Sequence, residues 1–229
     1  MTSRERVIAV GQGQEVDQKP VIVWPGEPEE FADALVVPSW MTREVQPTPL
    51  EDGRILLAEV VNPFGKARIR GIDLNEMIRL DPEIGAIELD EIVDETRLEI
   101  REALAHGAEG ILYRLHGARE LFCTPMQYGG HYLEKDRELL DEFAGNAFNL
   151  LFVVGNNDLY LDFVSDLPAH AFGWDVRGSG ISVNQVRDMR PGALAADDDQ
   201  ADIRFKHPVS NVAEFVEFIE EEQLAENSV

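Results

Sequence analysis

The sequence predicts an α/β protein built on a parallel sheet, either a closed barrel or an open doubly wound layer. Three observations carry that expectation. Short apolar runs alternate along the chain with longer stretches of helical periodicity. Residues 149–154 and 169–172 flank a segment, 159–167, in which Tyr160, Phe163, Val164 and Leu167 recur at helical spacing, and such a strand–helix–strand connection implies parallel pairing. Both strands run into polar clusters, Gly155-Asn156-Asn157-Asp158 after the first and Gly173-Trp174-Asp175-Val176-Arg177 after the second. In parallel sheets, open or closed, ligands bind beyond the carboxyl ends of the strands, so a site is expected there.

The elements follow in order. Residues 21–24 read as a short buried strand stopped by Pro25-Gly26, and residues 55–61 as a second stopped by Asn62-Pro63. The stretch 64–87 has no strand signal, and Asp73-x-x-Glu76 within it reads as a capping box opening a short helix through Met77 and Ile78. Residues 89–106 form a strong amphipathic helix: Leu89, Ile92, Val93, Ile100 and Leu104 make one stripe, and Gly107 can close the end. A strand at 110–115 precedes His116-Gly117, and a helix is expected over 131–143. After the strand–helix–strand unit, Ser182-x-x-Gln185 makes another capping box, with Ile181 and Val186 as its staple. Residues 193–196 and 203–205 are further strands, and a last helix starts at Ser210 or Asn211 and buries Val212, Phe215, Val216 and Ile219. Its acidic end, from Glu220 into the tail 220–229, opposes the helix dipole and is expected to fray. With no repeat and no low-complexity linker, one domain spanning 1–229 is expected.

Composition narrows the function. The chain has 229 residues and a net charge of −24, from 44 acidic against 20 basic side chains, only four of them Lys. Such a surface repels nucleic acid and anionic membranes, which bind through clustered Lys and Arg. A single cysteine, Cys123, excludes an internal disulfide and a Cys-rich zinc site. The first residues lack the apolar centre of a signal peptide and no apolar run reaches a membrane span of about 20 residues, so a cytoplasmic address is expected. No Walker sequence, Gly-x-Ser-x-Gly elbow or His-Glu-x-x-His pair is present, and Gly11-Gln12-Gly13 lacks the third glycine of a dinucleotide motif.

Candidate site residues sit where strands end. Glu59 lies inside the apolar strand 55–61, where burial favours the protonated carboxyl and poises it for proton transfer; the competing role is an ion pair with an arginine. Asn62 closes the same strand. Tyr113, Arg114 and His116 surround the next strand end, with His116 suited to acid–base work near neutral pH and Arg114 able to clamp a carboxylate or to pair with Glu59. Asn156 can bind a ligand, whereas Asp158 reads as an N-cap. Trp174, Asp175 and Arg177 offer an apolar wall, a charge and a forked donor together, unless Asp175 and Arg177 merely fix the loop. The loop 122–130, with Cys123 and Tyr128, is a candidate lid. Cys123 has no evident activating group, and Asp197-Asp198-Asp199 lacks the alternating spacing of a calcium loop.

Several segments resemble the uroporphyrinogen decarboxylase superfamily: residues 3–9 followed by Glu15-Val16-Asp17-Gln18-Lys19-Pro20-Val21, the passage Glu102 through His106-Gly107-Ala108-Glu109-Gly110-Ile111, and the strand, Gly-Asn turn, helix and Trp-Asp segment over 150–177. The resemblance implies a (β/α)8 barrel, abbreviated here, with a leading helix, an Asp-x-x-Pro turn and a pocket at the strands' carboxyl ends. Two departures bear on chemistry. Where the decarboxylase branch carries substrate arginines, this chain reads Pro25-Gly26-Glu27-Pro28-Glu29-Glu30-Phe31, leaving Arg114, Arg119 or Arg177 to compensate. Where the corrinoid-linked methyltransferase branch places its His-x-Cys zinc ligands, this chain has Phe152 and Val154.

The expectation is therefore a metal-independent enzyme without cofactor that acts on a small carboxylate-bearing substrate by decarboxylation or group transfer. Asp175, Glu59 and His116 would be catalytic, and Arg114, Arg177, Trp174, Asn156, Asn62 and Tyr113 would line the substrate. A homodimer is compatible with this reading. The rival is a barrel that lost its chemistry and serves as a binding or assembly module, its pocket filled by side chains.

Overall fold

A computed structural model describes residues 1–24, 32–43 and 53–206. The acidic segment 25–31, the helix expected from Ser210 or Asn211 and the tail 220–229 lie outside the described residues.

Eight strands, β1 (Val21–Val23), β2 (Ala34–Pro38), β3 (Ile55–Val61), β4 (Gly110–Leu115), β5 (Phe148–Val153), β6 (Ala171–Trp174), β7 (Ala193–Ala196) and β8 (Ile203–Lys206), pair in chain order as a closed parallel barrel. Ile22 of β1 stands opposite Phe205 of β8, so the ladder has no free edge. Of the two architectures compatible with the periodicity, the closed one is formed. Strand β2 was not expected; it bridges β1 and β3, pairing Ala34 through Pro38 with Ile55 through Glu59. The strand expected at 169–172 lies two residues further on. Ala169 is instead a connection whose carbonyl accepts from Arg190 Nη2 at 3.1 Å, and Trp174 joins the ladder opposite Val153.

The strands are apolar on both faces because both are buried. Ile55, Leu57, Leu112, Leu150, Phe152, Ala171, Ala195 and Phe205 fill the barrel, while Val60, Ile111, Tyr113, Leu151, Phe172, Trp174 and Leu194 face the helices. Thr2 and Glu5 form a capping box on α1 (Ser3–Gly11), and the Arg6 guanidinium of this helix forms a buried ion pair with Asp33. Asp33 also accepts from the Val21 N–H at 2.9 Å, tying α1 to the starts of β1 and β2.

Helix α2 (Pro63–Ile69) begins directly after β3, with Asn62 as N-cap and Pro63 in its first turn. Asp73 caps α3 (Leu74–Leu80) as expected. The long helix α4 (Pro82–Ala105) starts seven residues earlier than its stripe suggested, because the Asp81 side chain accepts from the Glu83 and Ile84 N–H groups and Pro82 fits the first position. The candidate lid contains a short helix, α5 (Pro125–His131), set by a Thr124–Gln127 capping box and buried only at Tyr128. It precedes α6 (Leu133–Ala144). Helix α7 shrinks to Leu161–Val164, with Tyr160 and not Asp158 at its N-cap position. After β6 come α8 (Val176–Ser179) and α9 (Val183–Met189), the latter opened by the expected Ser182–Gln185 box. No helix among the described residues is long and apolar enough to cross a membrane.

Gly110 starts β4 where the barrel is narrowest in tolerance. A methyl group there would collide with the Phe148 carbonyl oxygen and lie 2.7 Å from Leu57 Cδ2. Gly110→Ala is expected to cost about 2–3 kcal/mol as overpacking against backbone. In thermal denaturation that corresponds to a fall in Tm of roughly 5–10 °C; an unchanged Tm would refute the close approach.

Candidate active site at the barrel mouth

The two-residue period that sends Ile55 and Leu57 into the barrel also sends Glu59 inward, and the period of β4 does the same for Arg114 after Leu112. The two meet: Arg114 Nη1 donates to Glu59 Oε1 at 2.7 Å, with both side chains almost buried. Beneath them lies an aromatic floor. The Arg114 guanidinium carbon stands 5.1 Å from the Trp24 ring centroid, Trp24 is 6.2 Å from Phe205, and Phe205 meets Phe152 edge-on at 5.3 Å. A charged pair on an apolar platform in a poorly solvated space interacts more strongly than in water.

A second level stands one residue beyond the last ladder row, in which Leu115, Val153 and Trp174 are aligned. His116, Val154 and Asp175 follow those residues, so the histidine-bearing and aspartate-bearing strand ends share one rim. Asp175 is 5% exposed and accepts from the Arg177 N–H at 2.9 Å. A methyl group on Gly178 would fall 2.5 Å from Asp175 Oδ2 and 3.1 Å from Asn156 Oδ1, so the Gly178 backbone sits in the angle between those two side chains. Asp175 thus fixes its loop through a backbone donor. The Arg177 guanidinium is exposed and leans toward Asp197 at 3.7 Å, a residue that Arg204 also approaches at 3.6 Å.

His116 is held by its backbone. The Asn62 side chain accepts from the His116 N–H at 3.0 Å, returns a hydrogen bond from Nδ2 to the His116 carbonyl at 3.1 Å, and accepts from the Gly65 N–H at 3.0 Å. One amide therefore joins β3, β4 and α2. Its Nδ2 also faces the buried Asp136 carboxylate at 3.3 Å, which accepts from the Tyr113 hydroxyl at 2.6 Å and from the Tyr128 hydroxyl. Burial lifts the Asp136 pKa to about 6 against these donors, and pushes both tyrosines well above their ordinary range. The His116 ring rests on Gly65, where a methyl group would lie 2.9 Å from its Cδ2. Burial first, then the guanidiniums of Arg114, Arg119 and Arg68, press its pKa well below the ordinary histidine value. At neutral pH this imidazole is uncharged, where the sequence suggested a group titrating near neutrality. Its Nε2 is buried without a hydrogen-bond partner.

The structure thus brings Glu59, Arg114, His116, Asn156, Asp175 and Arg177 to the rim and mouth. It places the others elsewhere. Asn62 spends its hydrogen bonds on backbone and Asp136. Tyr113 points away from the mouth into the helix layer, and so does Trp174, whose indole Nε1 donates to the Ile181 carbonyl at 2.9 Å. Asp158, expected as a cap, pairs with Arg119 at 2.9 Å and accepts from the Leu121 N–H. Cys123 is buried, its thiol pushed up to about 11 chiefly by desolvation. Phe152 and Val154, at the positions where the resemblance would put zinc ligands, pack inside the barrel and have no lone pair for a cation. Trp24, Arg68 and Asp136 were missed. Trp24 ended a strand and read as core, and Asp136 lay in a charge-rich helix segment that reads as exposed.

The site and fold define a (β/α)8 barrel with a polar mouth over an aromatic floor. No family model matches the sequence, and no curated protein matches it either. Among solved structures, the chain is similar to a methyltransferase from Methanosarcina mazei, with a TM-score of 0.72, 10% identity, and coverage of 97% of this chain and 99% of that one. That likeness establishes shared architecture over the whole barrel.

Asp136 carries a pH signature. Its folded pKa, about 6, exceeds the unfolded carboxylate value of about 3.9. The associated stabilisation is complete below the unfolded value and is lost as pH rises through the folded one. Wild type should therefore lose about 1 kcal/mol relative to Asp136→Asn between pH 5 and pH 7.5. Urea denaturation of both proteins at the two pH values checks this; a pH-independent difference would show that Asp136 titrates normally.

Proposed function

We propose that the chain is a barrel enzyme that transfers a small group to or from a carboxylate-bearing molecule seated over Trp24. The observation that carries the reading is the Glu59–Arg114 pair, buried at the carboxyl ends of adjacent strands above an aromatic floor. Parallel barrels bind ligands at this end. The pair also suggests a mechanism. A substrate carboxylate that takes Arg114 in a two-pronged contact deprives Glu59 of its counter-ion in a space with little water. The Glu59 carboxylate, freed from that partner, is then placed to exchange a proton with the bound substrate. Asp175, at the same rim, is the second candidate for that proton. His116, neutral, contributes as a hydrogen-bonding group, and Arg177 and Asn156 close the outer side.

Group transfer is favoured over decarboxylation because a solved structure of this architecture is described as a methyltransferase. The resemblance to the uroporphyrinogen decarboxylase superfamily supports the same choice of site. Since Phe152 and Val154 replace the zinc ligands of the corrinoid-linked branch, no step is assigned to a metal. A second reading, binding without catalysis, draws on the mutual neutralisation of Glu59 and Arg114.

The two readings separate in one experiment. Full-length wild type and Glu59→Gln are incubated with a mixture of small carboxylic acids and methyl donors, and consumption is followed by NMR. The enzyme reading expects wild type to consume at least one acid, with Glu59→Gln slower by roughly 10²–10⁴-fold at equal Tm. Saturable binding with no consumption by either protein would establish the non-catalytic barrel instead.

A further inference from the structure

Arg68 and Arg119 both approach one aromatic ring, Phe122, and both act electrostatically on the buried His116. The Arg68 guanidinium carbon stands 4.4 Å from the Phe122 centroid and that of Arg119 stands 5.2 Å from the same centroid. Arg68 lies one helical turn beyond Gly65, the residue on which the His116 ring rests, and so shares its face of α2. Arg119 is three residues beyond His116 on the loop that follows β4. Arg119 pairs with Asp158, but Arg68 forms no ion pair among the described residues. His116 itself is 94% buried by its 6% exposure, and its Nε2 has no partner.

This arrangement runs against the composition of the chain. With 44 acidic residues against 20 basic ones, a guanidinium without a carboxylate is the exception. The charges that act on His116 all belong to arginines: Arg114, Arg119 and Arg68. A buried polar atom without a partner is unfavourable, and with positive charge gathered around it an incoming anion is the group that relieves both conditions.

We propose that Arg68, Arg119 and His116 form a second anchor for a carboxylate, so that the substrate of this barrel is a dicarboxylic acid held at both ends. One acid group meets Arg114 over Trp24, and the other accepts from the Arg68 and Arg119 guanidiniums and from His116 Nε2–H. The inference rests on the reading of Arg114 as the first anchor. It adds the class of substrate, and it assigns specificity to residues on α2 and the loop after β4. Monoacids fill the first anchor only.

Titration calorimetry on the full chain tests it, with succinate, glutarate and adipate against butyrate, valerate and hexanoate. The expected result is that one diacid binds at least tenfold more tightly than its matched monoacid. Arg68→Ala should bring that ratio to within threefold, and Arg68→Lys should restore part of it. His116→Gln, which keeps a donor, should fall between. A diacid preference that is absent in wild type, or that survives in Arg68→Ala, overturns the second anchor. The parent reading is scored separately by Arg114→Ala. If monoacids bind and need Arg114 but diacids gain nothing, only the second anchor falls; if neither series binds, both ideas fall.

Discussion

Closure of the sheet is the constraint on which everything else rests. Three residues of β1 pair with three of β8, and that short ladder removes the last free edge. Once closed, a parallel barrel has all its carboxyl ends on one rim, so Trp24, Glu59, Arg114 and Asp175, distant in sequence, all stand at strand ends on the same side of the barrel. An open sheet of the same strands would have spread them along an edge. The inward layers of Leu57, Leu112, Leu150 and Phe205 make the lower barrel solid, which leaves the upper end as the place where polar side chains project.

Within that frame, one side chain sets the geometry of the mouth. Asn62 extends the pairing of β3 and β4 by one residue, its side chain bonding both backbone groups of His116 and capping α2 with the same oxygen. Its amide is in turn oriented by a carboxylate that two tyrosines hold from the helix layer. The polar chain runs from α6 through the barrel wall to the rim. Because its members are buried, removing any one leaves the rest unsatisfied, which is how a network far from solvent can govern the position of a loop at the surface.

Charge is distributed unevenly for a reason visible in the packing. Acidic residues dominate the outer helices, where they pair with arginines across the surface, as Arg97 and Arg101 do with Glu142. Exposed pairs of that kind contribute little to stability and keep the surface solvated. At the mouth the balance reverses around His116, where arginines stack on Phe122 and the imidazole stays neutral. On a chain with a net charge of −24 such a local reversal of sign is confined to the few positions where arginines converge.

Much of the barrel was legible in the linear chain. Buried strands in a parallel sheet are continuous apolar runs, so β3, β4 and β7 coincided with their expected limits. The Ser182–Gln185 box announced its helix in the same local way. The candidate site was legible only at the level of strand ends. Period-two alternation correctly separates Arg114 from Tyr113 once the inward face is known, but a strand buried on both faces gives no sign of which face that is. Hence Tyr113 and Trp174, polar-tipped and beside the right residues, sit in the helix layer, bonded to Asp136 and to the Ile181 carbonyl. Local sequence determined the strands, caps and turns, because these depend on neighbours within four residues. Tertiary structure alone decided which side chains share the rim, that His116 is neutral, and that Arg68 is among the charges acting on it. Those outcomes depend on burial and on charges brought together from separate strands, and neither exists until the sheet has closed.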